Sequence, residues 1–68
     1  MPYARNAELP APIREALPPG AQDVFRKAFN HSFGRCRGRT SMALRAAWDA
    51  VKENYEEVHG HWRPKAQG

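Results

Sequence analysis

Residues 34–45 carry the chemistry that stands out in this chain, because they contain four arginines, Arg35, Arg37, Arg39 and Arg45, and no acidic residue. Their charge equals the net charge of +4 of all 68 residues, so the remainder is electrically balanced. Guanidinium groups donate paired hydrogen bonds to phosphate and carboxylate oxygens. The four arginines are therefore candidate partner- or phosphate-binding residues. Three interpretations stay open: a solvated loop, a nucleic-acid contact, or a contact for an acidic protein or lipid headgroup.

The nucleic-acid interpretation predicts weak binding. Three or four phosphate contacts correspond to a salt slope of only about −3 to −4. Binding of that kind is non-specific unless a dimer doubles the site, and the sequence leaves the oligomeric state open.

Cysteine catalysis is the next chemistry to weigh. Cys36 lies between Arg35 and Arg37, and neighbouring guanidinium groups favour its thiolate form. A catalytic cysteine also needs a positioned base, and His31 is the nearest histidine along the chain. A chain this short leaves little room for a substrate cleft, so we expect no catalytic residue and no enzymatic activity.

Metal binding has one candidate in the sequence, the pair His59 and His61 with Glu56 or Glu57 nearby. Zinc sites take three or four protein ligands at defined spacing, which this group does not match. We therefore expect no metal and no cofactor. Glu53, together with Glu56 and Glu57, forms an acidic cluster that is either a solvated face or an acidic docking surface.

The size and composition of the chain limit the scaffold. Sixty-eight residues make one small domain, with residues 1–63 expected to be ordered and residues 64–68 to form a flexible tail. A single cysteine excludes an internal disulfide. Neither a membrane-spanning run nor a signal-like N-terminus is visible, so we expect a cytoplasmic protein. Because a domain of this length buries only about 60% of its unfolded surface, its aromatic residues are needed in the core.

The spacing of apolar residues predicts a mainly α fold with three helices. The first covers residues 10–17, and the second runs from Pro19 to Phe33 with Gly34 as its stop. The third is capped by Thr40 or Ser41 and continues through Val58, with Gly60 as its end. Residues 61–64 are expected to return as a short strand that pairs near Tyr3, so that a two-stranded sheet joins the N- and C-terminal segments. The predicted core is Tyr3, Ile13, Leu17, Phe25, Phe29, Phe33, Leu44, Trp48, Val51, Tyr55 and Trp62.

Three stretches of the chain resemble one protein family. They are MPYARNAELP, LPPGAQDVFRKAFN and AAWDAVKENYEEVHGHW. The shared pattern has M-P-Y at the start, an L-P pair before each of the first two helices, and A-Q-D-x-[aromatic or aliphatic]-x-x-A-F-N. It continues with A-W-x-A-V-K-x-x-Y and a tryptophan near the C-terminus. In this order, from Met1 to about Trp62, the chain resembles the ChaB family of small bacterial proteins.

The resemblance implies three helices with a small β-sheet, likened to a cyclin box, and no enzymatic activity. It also implies a regulator of cation/proton antiport that acts through an unidentified protein partner, an antiporter or another regulator. Some relatives carry a longer, highly charged insertion between helices two and three, with acidic residues that could weakly hold divalent cations. Residues 34–41 are instead short, basic and free of carboxylates. The alternative function is a small nucleic-acid-binding module that uses residues 34–45.

Overall fold

Prolines and apolar spacing set the first two helices of the computed structural model, which describes residues 3–35, 37 and 39–65. Helix α1 (Ala11–Ala16) follows Pro10 and ends before Leu17, whose extended backbone is what a following proline favours. Helix α2 (Pro19–Arg35) begins with the second proline of the Pro18–Pro19 pair. The side-chain amide of Gln22 donates to the Leu17 carbonyl at 2.8 Å, which fixes the turn between the two helices.

Helix α2 is longer than the sequence predicted. Gly34 lies inside the helix rather than stopping it, and the last helical residue is Arg35. Helix α3 (Thr40–Asn54) already includes both residues that were predicted to cap it, so neither Thr40 nor Ser41 is the cap. Arg39 occupies the N-cap position, and its side chain makes no capping hydrogen bond.

Helices α2 and α3 pack against each other through a core of aromatic and small residues. Phe25 and Phe29 of α2 are buried, and so are Ala43, Ala47 and Val51 of α3. The alanine side chains of α3 are small, so the phenyl rings of α2 fit between the two helices in a closely packed core. This helix pair determines the position of the segment that joins α2 to α3.

The C-terminal part of the chain forms a hairpin, and here one sequence prediction was wrong. Helix α3 ends at Asn54, and Tyr55–Val58 is a strand, β1, rather than the last turn of the helix. It pairs with β2 (His61–Pro64) in an antiparallel register that places Val58 opposite His61. Hydrogen bonds to β2 satisfy the backbone of these residues in place of a further helical turn.

The two residues that join the strands explain the hairpin. His59 has a φ of 52° and Gly60 a φ of 81°. Positive φ at both central residues is the requirement of a two-residue type I′ turn, whose twist matches that of the strands. Gly60 therefore serves a turn and does not end a helix.

A mainly helical fold with a two-stranded sheet is confirmed, but the predicted pairing of its strands was wrong. Within the described residues the sheet consists of β1 and β2, which are neighbours in the sequence, and Tyr3 is not part of it. Tyr3 contacts α2 instead, where its ring centroid lies 5.1 Å from that of Phe29. A short 3₁₀ helix at Asn6–Glu8, which the sequence analysis did not predict, leads from this contact into α1.

The residues expected in the core divide into two groups. Five are buried, namely Ile13, Leu17, Phe25, Phe29 and Val51, together with Leu9, Ala21, Ala43 and Ala47. Six are half-buried and pack around that centre, namely Tyr3, Phe33, Leu44, Trp48, Tyr55 and Trp62. Trp48 contacts both groups. The centroid of its ring lies 5.2 Å from that of Phe25, which it meets edge to face, and 5.9 Å from that of Trp62.

Two further predictions concern the chain as a whole. Across residues 3–35, 37 and 39–65, no helix is both long enough and apolar enough to cross a membrane. Of the expected tail, residues 66–68 lie outside the described part. Pro64 ends β2, and the Lys65 N–H donates to the Asn54 carbonyl at 3.0 Å.

Candidate functional site

Three of the four predicted arginines surround one depression at the junction of α2 and α3. Arg35, Arg37 and Arg39 line it together with Met42, and the cavity has a volume of about 380 Å³. We call these four residues the arginine surface. Arg35 is the last residue of α2 and Arg39 the residue before α3, so the packing of the two helices sets the spacing of their backbones.

Arg37 lies between the two helix ends with a φ of 55°, in the left-handed region. A non-glycine residue in that conformation is disfavoured by about 1–2 kcal/mol. The local backbone therefore does not account for an arginine at this position.

Arg45 does not share the depression with the other three arginines. It is exposed on α3, one helical turn beyond Met42. All four arginines lie at or near the connection between α2 and α3, and three of them line the same cavity.

The charge around the arginine surface is positive, and its arginines form none of the ion pairs observed in the described part of the chain. In the part of the chain that the structure describes, the ion pairs involve other arginines, Arg5, Arg26 and Arg63. The first turn of α3 contains no acidic residue either. The positive end of that helix dipole adds to the positive potential there, whereas Arg35 lies at a helix C-terminus, where a cation is favourable. The charge of Arg39 is thus not explained by helix stability.

Met42 is the functional candidate that the sequence analysis missed. The residue is 50% exposed, and it is the large apolar residue most exposed to solvent in the described part of the chain. A signal for it exists in the sequence. Met42 falls outside the apolar stripe that contains Leu44, and it lies three residues from both Arg39 and Arg45. Residues three apart share a helix face.

Among the residues that the structure describes, the remaining candidates do not line the depression. Cys36 lies outside the described residues, and His31 is exposed on α2. His59 is a turn residue of the hairpin and His61 is the first residue of β2, whereas Glu56 Oε2 pairs with Arg63 Nε of the opposite strand at 3.0 Å. Within residues 3–35, 37 and 39–65, no three histidine, cysteine, aspartate or glutamate side chains are grouped as metal binding requires.

Comparison with known proteins gives one consistent result. The family model ChaB matches residues 9–65, which include the arginine surface and the hairpin. The chain belongs to the ChaB family. A ChaB relative from Escherichia coli strain K12, named "Putative cation transport regulator ChaB", is 33% identical. The alignment covers 81% of this chain and 84% of the relative. A relative of the same name from Shigella flexneri shows the same identity and coverage.

A solved ChaB structure also has the same fold. The solution NMR structure of a protein described as "the putative cation transport regulator ChaB" superposes with a TM-score of 0.82 at 29% identity. The match covers 96% of this chain and all of that one. The helix pair and the hairpin are therefore features of a ChaB domain, and both the fold and the family predicted from the sequence are confirmed.

Proposed function

We propose that this ChaB-family chain is a non-enzymatic regulator of cation transport that acts by binding another protein. The names of its relatives, which describe regulators and not enzymes, support this proposal. The observation that carries the mechanism is the arginine surface, where three guanidinium groups line one depression without a carboxylate of the described chain paired to them. Cation/proton antiport is the transport process that we propose is regulated.

The surface suits a regulatory contact because its charge is available to a partner. If one of these arginines were paired with a carboxylate of the same chain, that ion pair would have to break before a partner could bind the arginine. Complementary charge chiefly increases the association rate and the specificity of a complex, which are the properties that a reversible regulator needs.

The experiment measures antiport in everted membrane vesicles from the native host. A strain without the gene is compared with strains that carry the wild type or the variant R35Q/R37Q/R39Q. We expect the variant to reproduce the antiport rate of the deletion strain. Antiport that is identical in the deletion and wild-type strains would contradict the proposed function.

A matched control separates the position of the charge from its amount. The variant K27Q/K52Q/K65Q removes the same number of positive charges from exposed lysines away from the depression. We expect this variant to keep the wild-type antiport rate. Equal effects of the two triple variants would show that only the net charge of the protein acts.

Nucleic-acid binding is the second candidate, supported by the same lack of carboxylates around Arg35, Arg37 and Arg39. Three phosphate contacts predict that affinity for duplex DNA falls about 40-fold between 50 and 200 mM salt. Fluorescence anisotropy at the two salt concentrations measures this change. Salt-sensitive binding that disappears when the three arginines are replaced by alanine would support this function. Absence of binding at 50 mM salt would exclude it.

A further inference from the structure

We infer that the arginine surface docks an acidic peptide segment of the partner, and that one apolar side chain of this segment packs on Met42. The carboxylates of the segment would pair with Arg35, Arg37 and Arg39 around it. The inference rests on the proposed function for the partner being a protein, and it specifies the chemistry that the partner must present.

The composition of the surface is the first argument. Arginine and methionine are enriched at protein–protein interfaces, whereas lysine is depleted there. Every cation in residues 34–45 is an arginine, although the chain uses lysine at positions 27, 52 and 65. Arginine binds carboxylates through a planar fork of two hydrogen bonds, and the more strongly hydrated lysine ammonium does not.

Met42 is the second argument, and it favours a peptide over a nucleic-acid backbone. A phosphate backbone can pair with all three arginines, but it has no apolar group to cover the exposed thioether of Met42. A peptide that alternates acidic and apolar residues satisfies both. The unbranched methionine side chain adapts to differently shaped apolar partners, which is why it recurs at binding surfaces.

The geometry is the third argument. Arg35 and Arg39 extend from the ends of two helices that pack through a buried core, so their backbones are held in place before a partner arrives. Met42 lies in the first turn of α3 and lines the same cavity of about 380 Å³. Arginines whose backbones are held at helix ends lose less backbone conformational entropy on binding than those of a flexible basic tail do.

The test uses three fluorescent probes and the full-length protein, with fluorescence anisotropy at 50 mM salt. One probe is a seven-residue peptide of aspartate and glutamate with a central leucine. The second has serine in place of the leucine, and the third is a thymidine oligomer of similar charge. We expect the leucine peptide to bind about fivefold more tightly than the serine peptide, because leucine and Met42 remove apolar surface from water together.

Variants then assign each part of the binding. M42Q should abolish the difference between the two peptides and leave the serine peptide unaffected. R35Q/R37Q/R39Q should weaken both peptides by at least about tenfold, and the corresponding triple lysine variant should weaken them less. K27Q/K52Q/K65Q should bind like the wild type. Thermal unfolding of each variant checks that it is folded at the temperature of the assay.

Three results would overturn the inference. They are equal affinity of the two peptides for the wild type, tighter binding of the thymidine oligomer than of the leucine peptide, and no peptide binding at all. The vesicle experiment distinguishes this failure from that of the proposed function. If antiport still depends on the arginines, the regulator binds a partner of different chemistry. If the leucine peptide binds as expected and antiport is unaffected, the docking site remains and the regulatory role is wrong.

Discussion

The side-chain amide of Asn30 forms two hydrogen bonds with the main chain of Tyr3. The Tyr3 N–H donates to Asn30 Oδ1 at 2.9 Å, and Asn30 Nδ2 donates to the Tyr3 carbonyl at 2.6 Å. The Asn30 side chain thus satisfies both the N–H and the carbonyl of Tyr3, as a paired strand would do. The pair holds the tyrosine ring on Phe29, and with it the N-terminal segment on α2.

Neighbouring polar residues extend this attachment along α2. Arg26 Nε donates to Asn6 Oδ1 at 2.8 Å, and Asn6 Nδ2 donates to Asp23 Oδ1 at 2.8 Å. Arg26 and Asp23 also form an ion pair at 3.7 Å. These residues lie on the polar face of α2, which the sequence suggested would face solvent. They instead hold the first residues of the described chain against the helix.

Asn30→Ala should therefore destabilise the domain by about 2 kcal/mol, because two hydrogen bonds are lost at about 1 kcal/mol each. In a domain of this size the loss corresponds to a decrease in Tm of roughly 10 °C. Thermal unfolding followed by circular dichroism measures it. Tyr3→Phe is the control, because it keeps the ring and the main chain and should unfold close to the wild-type temperature. An unchanged Tm for Asn30→Ala would show that the segment does not depend on this pair.

Gly20→Ala should destabilise the protein although alanine is the better helix former. A Cβ on Gly20 would overlap the Tyr55 hydroxyl, so the tyrosine ring has to move. Overpacking of this kind typically costs 1–3 kcal/mol. The double variant G20A/Y55F removes the overlap and should be more stable than Y55F alone by up to about 1 kcal/mol, the helix propensity difference between alanine and glycine.

Gly34→Ala is the matched control for Gly20→Ala. Gly34 also lies in α2, but a Cβ there would meet no atom within 4 Å. The substitution should stabilise the domain by about 0.4–1 kcal/mol. Opposite signs of the change in unfolding free energy at the two glycines are expected. The same sign at both would show that Tyr55 does not contact α2 as described.

The hairpin turn predicts opposite effects at two adjacent positions. Gly60→Ala should cost about 1–2 kcal/mol, because alanine does not favour the left-handed backbone at φ 81°. His59→Asn should be neutral or stabilising, because asparagine tolerates positive φ in type I′ turns better than histidine does. Chemical denaturation of both variants provides the free energies. A Gly60→Ala variant as stable as the wild type would contradict the turn.

Trp48→Ala should unfold the domain. The indole contacts Phe25 of α2 and Trp62 of β2, so its loss opens the junction between the helix pair and the hairpin. Truncation of a packed tryptophan costs about 3–5 kcal/mol, comparable with the total stability of a domain this small. Trp48→Phe keeps an aromatic ring at the junction and should stay folded with a lower Tm. A folded Trp48→Ala variant without a thermal shift would show that this tryptophan is not needed.

The sequence by itself determined the helices whose apolar spacing is long and regular. Phe25 and Phe29 follow the helical period in α2, and Ala43, Ala47 and Val51 follow it in α3. The concentration of positive charge in residues 34–45 was also visible, because charge depends only on composition. The family could also be recognised from the sequence, because its motifs are short stretches of neighbouring residues.

Tertiary structure decided the features that depend on contacts between distant residues. Tyr55 and Val58 continue the helical spacing of α3, so periodicity alone predicted a longer helix. Only pairing with His61–Pro64 makes that segment a strand. Asn30 and Tyr3 are 27 residues apart, and no local pattern links an asparagine on a polar helix face to a main chain that far away. The same holds for the arginine surface, because the packing of α2 on α3 selected three of the four arginines and placed Met42 among them.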